Sequence, residues 1–358
     1  MIMQNLSNNF LDEMRQVKDS LADEAIEALF KSKRSEKFRE ILKKDWKNGE
    51  SAPQRMPKKL NEFLEESAKL PEWADAKTMQ LGQNLFSEYE GDIMGLLGSL
   101  SLPYCYAAAD GARVLQISER IRKDTQKRLA ETGQFVLDVL EPNAFTPEGK
   151  GIRSIQKVRL IHAAVRYHIK KHGHWDAKWG MPVNQEDMAG TNLAFSFIVL
   201  RGLRKVGRVV HPESAMAYQH LWNVIGHMLG LREEMIPQTL KQAYQLTEAI
   251  EKRHMRSSEA GQELTQALLK SYEEQIPVKL PNGYLNAYMR YLLGDKIADI
   301  LALPPSNWTD NLVKLQKFSN TLGQYVNILL NKPAGRAFEN EQLEAQNPKL
   351  VIPGRLGV

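Results

Sequence analysis

The chain has 358 residues, 42% of them apolar, and carries 48 basic and 43 acidic side chains for a formal charge of +5. That balance suits a globular protein with a sizeable core, and the small basic excess, broken by acids even in its densest stretch (residues 31–50), lacks the footprint of a nucleic-acid binder. The lone cysteine, Cys105, excludes an internal disulfide and a cysteine metal cluster.

Helical periodicity runs through nearly the whole chain, and strand-like alternation is scarce. The first residues lack the basic and apolar regions of a secretory signal, so a cytoplasmic location is expected. Residues 1–60 read as basic amphipathic helices, an N-terminal extension for which peripheral contact with a membrane is left open. A Pro-containing connector follows at 51–59. The longest uncharged run, Ile93 to Ala109, is short for a membrane span and is interrupted by Gly, Ser and Pro103. It reads as a buried helix, a loop and the start of another helix. A long helix is expected from 110 to 140, then a Pro- and Gly-rich loop at 141–151. The next helix runs from 154 to 172, with Lys170 and Lys171 at the negative end of its dipole and Gly173 at its C′ position. After a loop, Asn184 is placed as an N-cap, with Glu186 and Asp187 in the first turn. That helix continues through "LAFSFIVL" and stops near Gly207. Pro212 opens another helix, further helices fill the chain to 330, and 331–358 reads as an extended tail. The architecture expected is all-α, with one large helical domain over 61–330.

Two helices have apolar stripes with polar residues in the middle. On the 154–172 helix the stripe is Ile155, Val158, His162, Val165, Ile169, at alternating spacings of three and four. Arg159 and Arg166 flank His162 on neighbouring surface. Positive neighbours and burial both disfavour protonation of an imidazole, and the neutral form is the one that binds metal. The arginines in turn require anionic partners, which haem propionates or ordinary Asp and Glu side chains would supply. On the 110–140 helix the stripe is Val114, Ile117, Ile121, Thr125, Arg128, Thr132, Phe135, Val139. Its ends are apolar and its centre is polar, and buried polar groups need partners. Either the gap is a polar seam between helices or it lines a cavity above a ligand. His168 and His172, at i, i+4, lack the Glu of a zinc-protease helix and read as ordinary surface or core histidines. No phosphate loop or nucleophile elbow is present.

The runs "SLPYCYAAADGARVL" (101–115), "KRLAETGQFVLDVL" (127–140), "VRLIHAAVRYHI" (158–169), "GMPVNQEDMAGT" (180–191) and "AYQHLWNVIGHMLGL" (217–231), in this order, resemble the rubber oxygenase, or latex-clearing-protein, catalytic-domain family, which includes the MpaB-type oxygenases. The resemblance covers roughly residues 70 to 310. It implies a globin-like helical core around one b-type haem (heme b), and oxidative cleavage of C=C bonds in a hydrophobic isoprenoid-like chain by dioxygen. By motif, His162 matches the proximal haem ligand, Arg128 and Thr132 the distal pair, and Arg159 and Arg166 basic residues near the haem; Thr125 belongs to the same polar gap. Where some members carry a lysine that closes the iron site, this chain has Glu131, so a lysine-closed state is not expected. Asp110 and Glu131 are the acidic residues considered for a catalytic base.

These readings imply a haem-dependent dioxygenase that needs no external reductant in each turnover. A haem-binding protein without turnover, serving as an oxygen sensor, carrier or store, would use His162 equally well. A haem-free helical scaffold is the third alternative.

Overall fold

The structure, a computed structural model, describes residues 6–32, 35–50, 55–117, 125–172, 175–275 and 282–305. Among them the regular structure is helical throughout, and the single β-type pairing is an isolated bridge between Ala108 and Met255. The helices are α1 (Asn8–Met14), α2 (Ser20–Lys31), α3 (Ser35–Lys43), α4 (Lys58–Glu66), α5 (Ala76–Glu88), α6 (Glu90–Leu96), α7 (Leu102–Tyr106), α8 (Ala109–Ile117), α9 (Thr125–Leu140), α10 (Gly151–His172), α11 (Gln185–Phe195), α12 (Phe197–Lys205), α13 (Pro212–Met228), α14 (Leu240–His254), α15 (Glu259–Gln275), α16 (Tyr284–Leu293) and α17 (Asp295–Ile300). None is long and apolar enough to cross a membrane.

Helix starts follow their capping chemistry. Asn184 is extended and its side chain accepts from the Asp187 N–H at 2.9 Å, and Pro212 occupies the first turn of α13 behind the extended N-cap His211. The expected single helix through "LAFSFIVL" is two helices, because Ser196 leaves helical geometry (φ −109°, ψ −85°). Its hydroxyl donates to the Asn192 carbonyl at 2.8 Å, the back-bonding that bends helices at serine. The run 93–109 is helical through Tyr106 and breaks at Ala107 and Ala108, before α8 starts, and not at its Gly, Ser and Pro positions. α6 passes directly into a π-helical turn, Leu97–Ser101, and then into α7, with Pro103 in the first turn of α7. The extra residue of a π turn absorbs the Gly and Ser positions that read as a break. The helix expected over 110–140 is described as α8 and α9; residues 118–124, including Ile121, lie outside the described residues, as do Gly173 and the tail.

The chain divides into two compact units. The first contains residues 1–88, 135–197 and 211–253. Here α5 runs closely against α13, and a side chain at Gly82 would press within 2.7 Å of the Ala217 carbonyl oxygen. A buried apolar cluster joins Leu11 and Met14 of α1 to Met188 and Leu193 of α11 and Leu246 and Ile250 of α14. Fully buried Glu186 fastens the same three helices, accepting from Arg253 Nε at 2.8 Å and facing Arg15 Nη1 at 3.5 Å. The second unit contains residues 89–134, 198–210 and 254–358. In it α7 and α8 pack on α15, and the π turn packs on α7 and α16. Its ion pairs include Arg208 with Asp92 at 2.7 Å and Arg256 with Asp110 at 2.6 Å. The division falls inside α9, after Gln134.

Candidate functional site

α10 carries His162, Arg159 and Arg166, and its position is fixed along its length by long-range polar contacts. Asn48 caps the start, its side-chain oxygen accepting from the Ile152 and Arg153 N–H groups at 3.0 and 3.3 Å. One turn on, buried Gln156 donates to the Leu64 carbonyl and the Ser67 hydroxyl. Arg159 then grips Asp19, with Nε and Nη2 on the two carboxylate oxygens at 2.7 and 2.9 Å and Nη1 on the Met228 carbonyl at 3.0 Å. Arg166 donates through Nε to Asp23 at 2.7 Å and through Nη1 to the Val183 carbonyl at 3.3 Å.

The carboxylates facing these arginines therefore come from the chain's own α2. All three nitrogens of Arg159 are engaged within the chain, which fixes α10. Arg166 differs. Its Nη2 is buried and has no hydrogen-bond partner among the described residues.

The stripe centred on His162 is not the fully covered side of α10. Leu160, Ala163 and the two arginines are buried, whereas Val158, Ile161, His162 and Val165 are half-buried. The strip is thus apolar and half open, with an imidazole at its centre. Burial holds His227 below the usual imidazole range and the Arg159 charge adds to it, against the opposing pull of Glu233.

α9 shows a comparable strip. Thr125, Arg128, Thr132 and Phe135 are half-buried, whereas Gly133, Val136 and Val139 are buried. No hydrogen bond ties the Thr132 hydroxyl to a described residue, so the usual back-bond to the preceding turn is not made and the O–H can be directed outward. Thr125, Arg128 and Thr132 all lie in the part of α9 that belongs to the second unit, and His162, Arg159 and Arg166 in the first. Of the two acids considered as a base, Asp110 is buried against Arg256 and Glu131 is exposed. Among the described residues no group of three His, Cys, Asp or Glu side chains could hold a metal ion.

Sequence reading left Asp19 and Asp23 unassigned, because pairs 140 and 143 residues apart have no local signature. It also passed over buried Tyr272 of the second unit, whose hydroxyl lies where a side chain at Gly98 in the π turn would stand.

The chain's likeness to known proteins agrees with this layout. It is 28% identical over 276 residues to the rubber oxygenase of Streptomyces sp. (strain K30), a match covering 76% of this chain and 67% of that protein. Its fold is similar to a solved structure of latex clearing protein LCP in the closed state, with a TM-score of 0.75 and 25% identity, over 88% of this chain and 91% of that one. The model of the family described as ER-bound oxygenase mpaB/B'/rubber oxygenase, catalytic domain, matches residues 88–323, which include both half-open strips, and the chain belongs to that oxygenase family.

Proposed function

We propose that this chain holds a b-type haem and uses dioxygen to cleave C=C bonds in a hydrophobic, isoprenoid-like chain. The observation that carries the reading is the α10 strip: His162 centred in a half-open apolar face, with the buried Arg166 Nη2 one turn away and lacking a partner among the described residues. A haem presents the matching set, an apolar ring, a metal that takes an imidazole, and acidic substituents that accept from a guanidinium. When bound, the haem would supply the oxygen-activating iron.

The chain's own residues do the rest. His162 would offer a ring nitrogen as ligand. Asp19 and Arg159 keep α10 from turning or sliding, so that this nitrogen keeps its position. Arg166 Nη2 donates to an acidic substituent. Arg128 and Thr132 aim hydrogen-bond donors at oxygen atoms, where directed donors in a water-poor setting stabilise developing negative charge. Thr125 extends the same polar strip.

The purified protein is expected to show a Soret band, and His162→Ala to lose it or to have it strongly altered. Arg128→Ala and Thr132→Ala should keep haem content while losing alkene cleavage, and products should carry carbonyl ends without a continuous electron supply. Full haem content with no cleavage of any isoprenoid would favour a haem-binding role without turnover. A protein that takes up no haem on reconstitution would sink the proposal.

A further inference from the structure

The segment joining α4 to α5 is strapped onto α13 through two histidines. The Trp73 ring stands edge-on to His220 and to His227, with ring centroids 5.8 Å apart in each pair. The two histidines lie about two turns apart on α13, so one indole covers part of both. Two hydrogen bonds latch the segment in place. Trp73 Nε1–H donates to Glu233 Oε1 at 3.2 Å, and the Asp75 backbone N–H donates to His220 Nε2 at 3.2 Å. Trp73 also packs on the buried cluster that joins α1, α11 and α14. The segment's far end is anchored separately, where the Asp75 carboxylate accepts from the Thr78 N–H and hydroxyl at 2.8 and 2.6 Å and starts α5.

The Asp75 latch fixes the charge state of His220. An imidazole nitrogen accepts an N–H only while it carries no proton of its own. Once protonated, Nε2 is a donor facing a donor, and the latch is lost. At His227 the geometry sets up a rivalry. Glu233 Oε1, the oxygen that holds the Trp73 indole, lies 4.0 Å from His227 Nδ1, and a proton on that nitrogen makes it a second claimant. The charged groups acting on the two rings are Asp75 at His220, and Glu233 and Arg159 at His227. Both carboxylates favour protonation, but burial outweighs them, and Arg159 adds to burial at His227. Lifting Trp73 returns both imidazoles to water and removes part of that burial.

We propose that residues 70–75 form an acid-released strap: Trp73 stays seated across α13 while His220 and His227 are neutral, and swings out when they take up protons, with α5 and α13 still folded. The sign follows from linkage. The released form binds protons more readily than the seated form, so falling pH shifts the population toward release. The strap therefore closes the apolar seat of Trp73 at neutral pH and uncovers it in mild acid. This device is independent of the oxygenase reading above.

The test is fluorine NMR of the full-length protein labelled with fluorotryptophan, the Trp73 signal being assigned by its loss in Trp73→Phe. Between about pH 7.5 and 5 that signal should move to a solvent-exposed position while helical circular dichroism is unchanged. Each linked histidine changes the ratio of seated to released strap by at most about tenfold per pH unit. The parent should therefore respond more steeply than His220→Gln or His227→Gln, and the double variant should not respond. Gln at position 220 keeps an acceptor for the Asp75 N–H but does not titrate. Reciprocally, Trp73→Ala should raise the titration midpoints of both histidines, read from their ring proton signals. A Trp73 signal that does not move, that moves only with loss of helical circular dichroism, or that moves equally in the double variant would overturn the proposal. So would histidine midpoints indifferent to Trp73→Ala, and this measurement together with the parent titration decides the matter if a histidine variant does not fold.

Discussion

Removing the Asp19 carboxylate tests whether α10 is held by its buried ion pair. Asp19 has two duties: its Oδ1 caps α2, accepting from the Ala22 N–H at 3.2 Å, and both oxygens engage Arg159 at 2.7 and 2.9 Å. The two side chains are 6% and 9% exposed, so solvent cannot replace the lost charge. Breaking a buried pair by deleting one partner costs about 3–5 kcal/mol, and loss of an N-cap about 1 kcal/mol. Asp19→Ala should therefore destabilise the protein by about 4–6 kcal/mol. Asp19→Asn, which keeps the capping oxygen, should cost about 1 kcal/mol less than Asp19→Ala. Adding Arg159→Met to Asp19→Ala removes the stranded charge and should recover most of the ion-pair share. Urea titrations followed by circular dichroism measure all four proteins. Haem uptake should fall in step with stability at Asp19 and recover in the double variant. An Asp19→Ala protein within about 0.5 kcal/mol of the parent would refute the reasoning, as would a double variant no more stable than the single one.

Three further outcomes are expected. Gly98→Ala should destabilise by about 1–3 kcal/mol through overpacking, and much less in a Tyr272→Phe background, where the nearest ring atom is 3.2 Å away instead of a hydroxyl at 2.1 Å; additive costs in a double-mutant cycle would contradict the geometry. Burial holds His220 and His227 below their ordinary value of 6.5, against Asp75 and Glu233 respectively. The unfolded chain takes up these protons first, so stability is intact above that value and declines as pH falls below it; replacing both histidines with Gln should flatten the decline in urea midpoints between pH 7.5 and 5, and an unchanged slope would exclude them as its source. Asn184→Ala should cost about 1 kcal/mol by removing the α11 cap, whereas Asn184→Asp should be nearly neutral, both read from thermal denaturation.

Local chemistry was legible in the sequence and distant pairing was not. Asn184 and Pro212 act within one turn of themselves, so their helix starts could be placed from residue type alone. The mixed stripe around His162 was visible as a pattern, but its meaning needed the structure: Val158 and Val165 look like core, yet they remain half open, while Arg159 and Arg166 are more deeply buried than either. A guanidinium is buried readily only when a carboxylate meets it, and nothing near position 159 announces that the partner is at position 19. Ser196 and the π turn escaped for another reason. Both are departures from the helical repeat that side-chain periodicity averages over, and both depend on specific backbone hydrogen bonds. Tyr272 is an ordinary core aromatic in the sequence; only the close approach of its hydroxyl to Gly98 sets it apart.

The π turn has an implication for how relatives of this chain diverge. Each helical residue advances the chain by about 100° around the axis, so a π turn is equivalent to one inserted residue. Deleting a single residue between Leu97 and Ser101 would let α6 and α7 run on as one regular α-helix. Tyr104 and Tyr106 would then keep their direction relative to α6, whereas straightening the turn without a deletion would rotate them by about 100°. A relative one residue shorter in this stretch could thus present the same side chains in the same directions, and an alignment without a gap here would pair residues that face different ways.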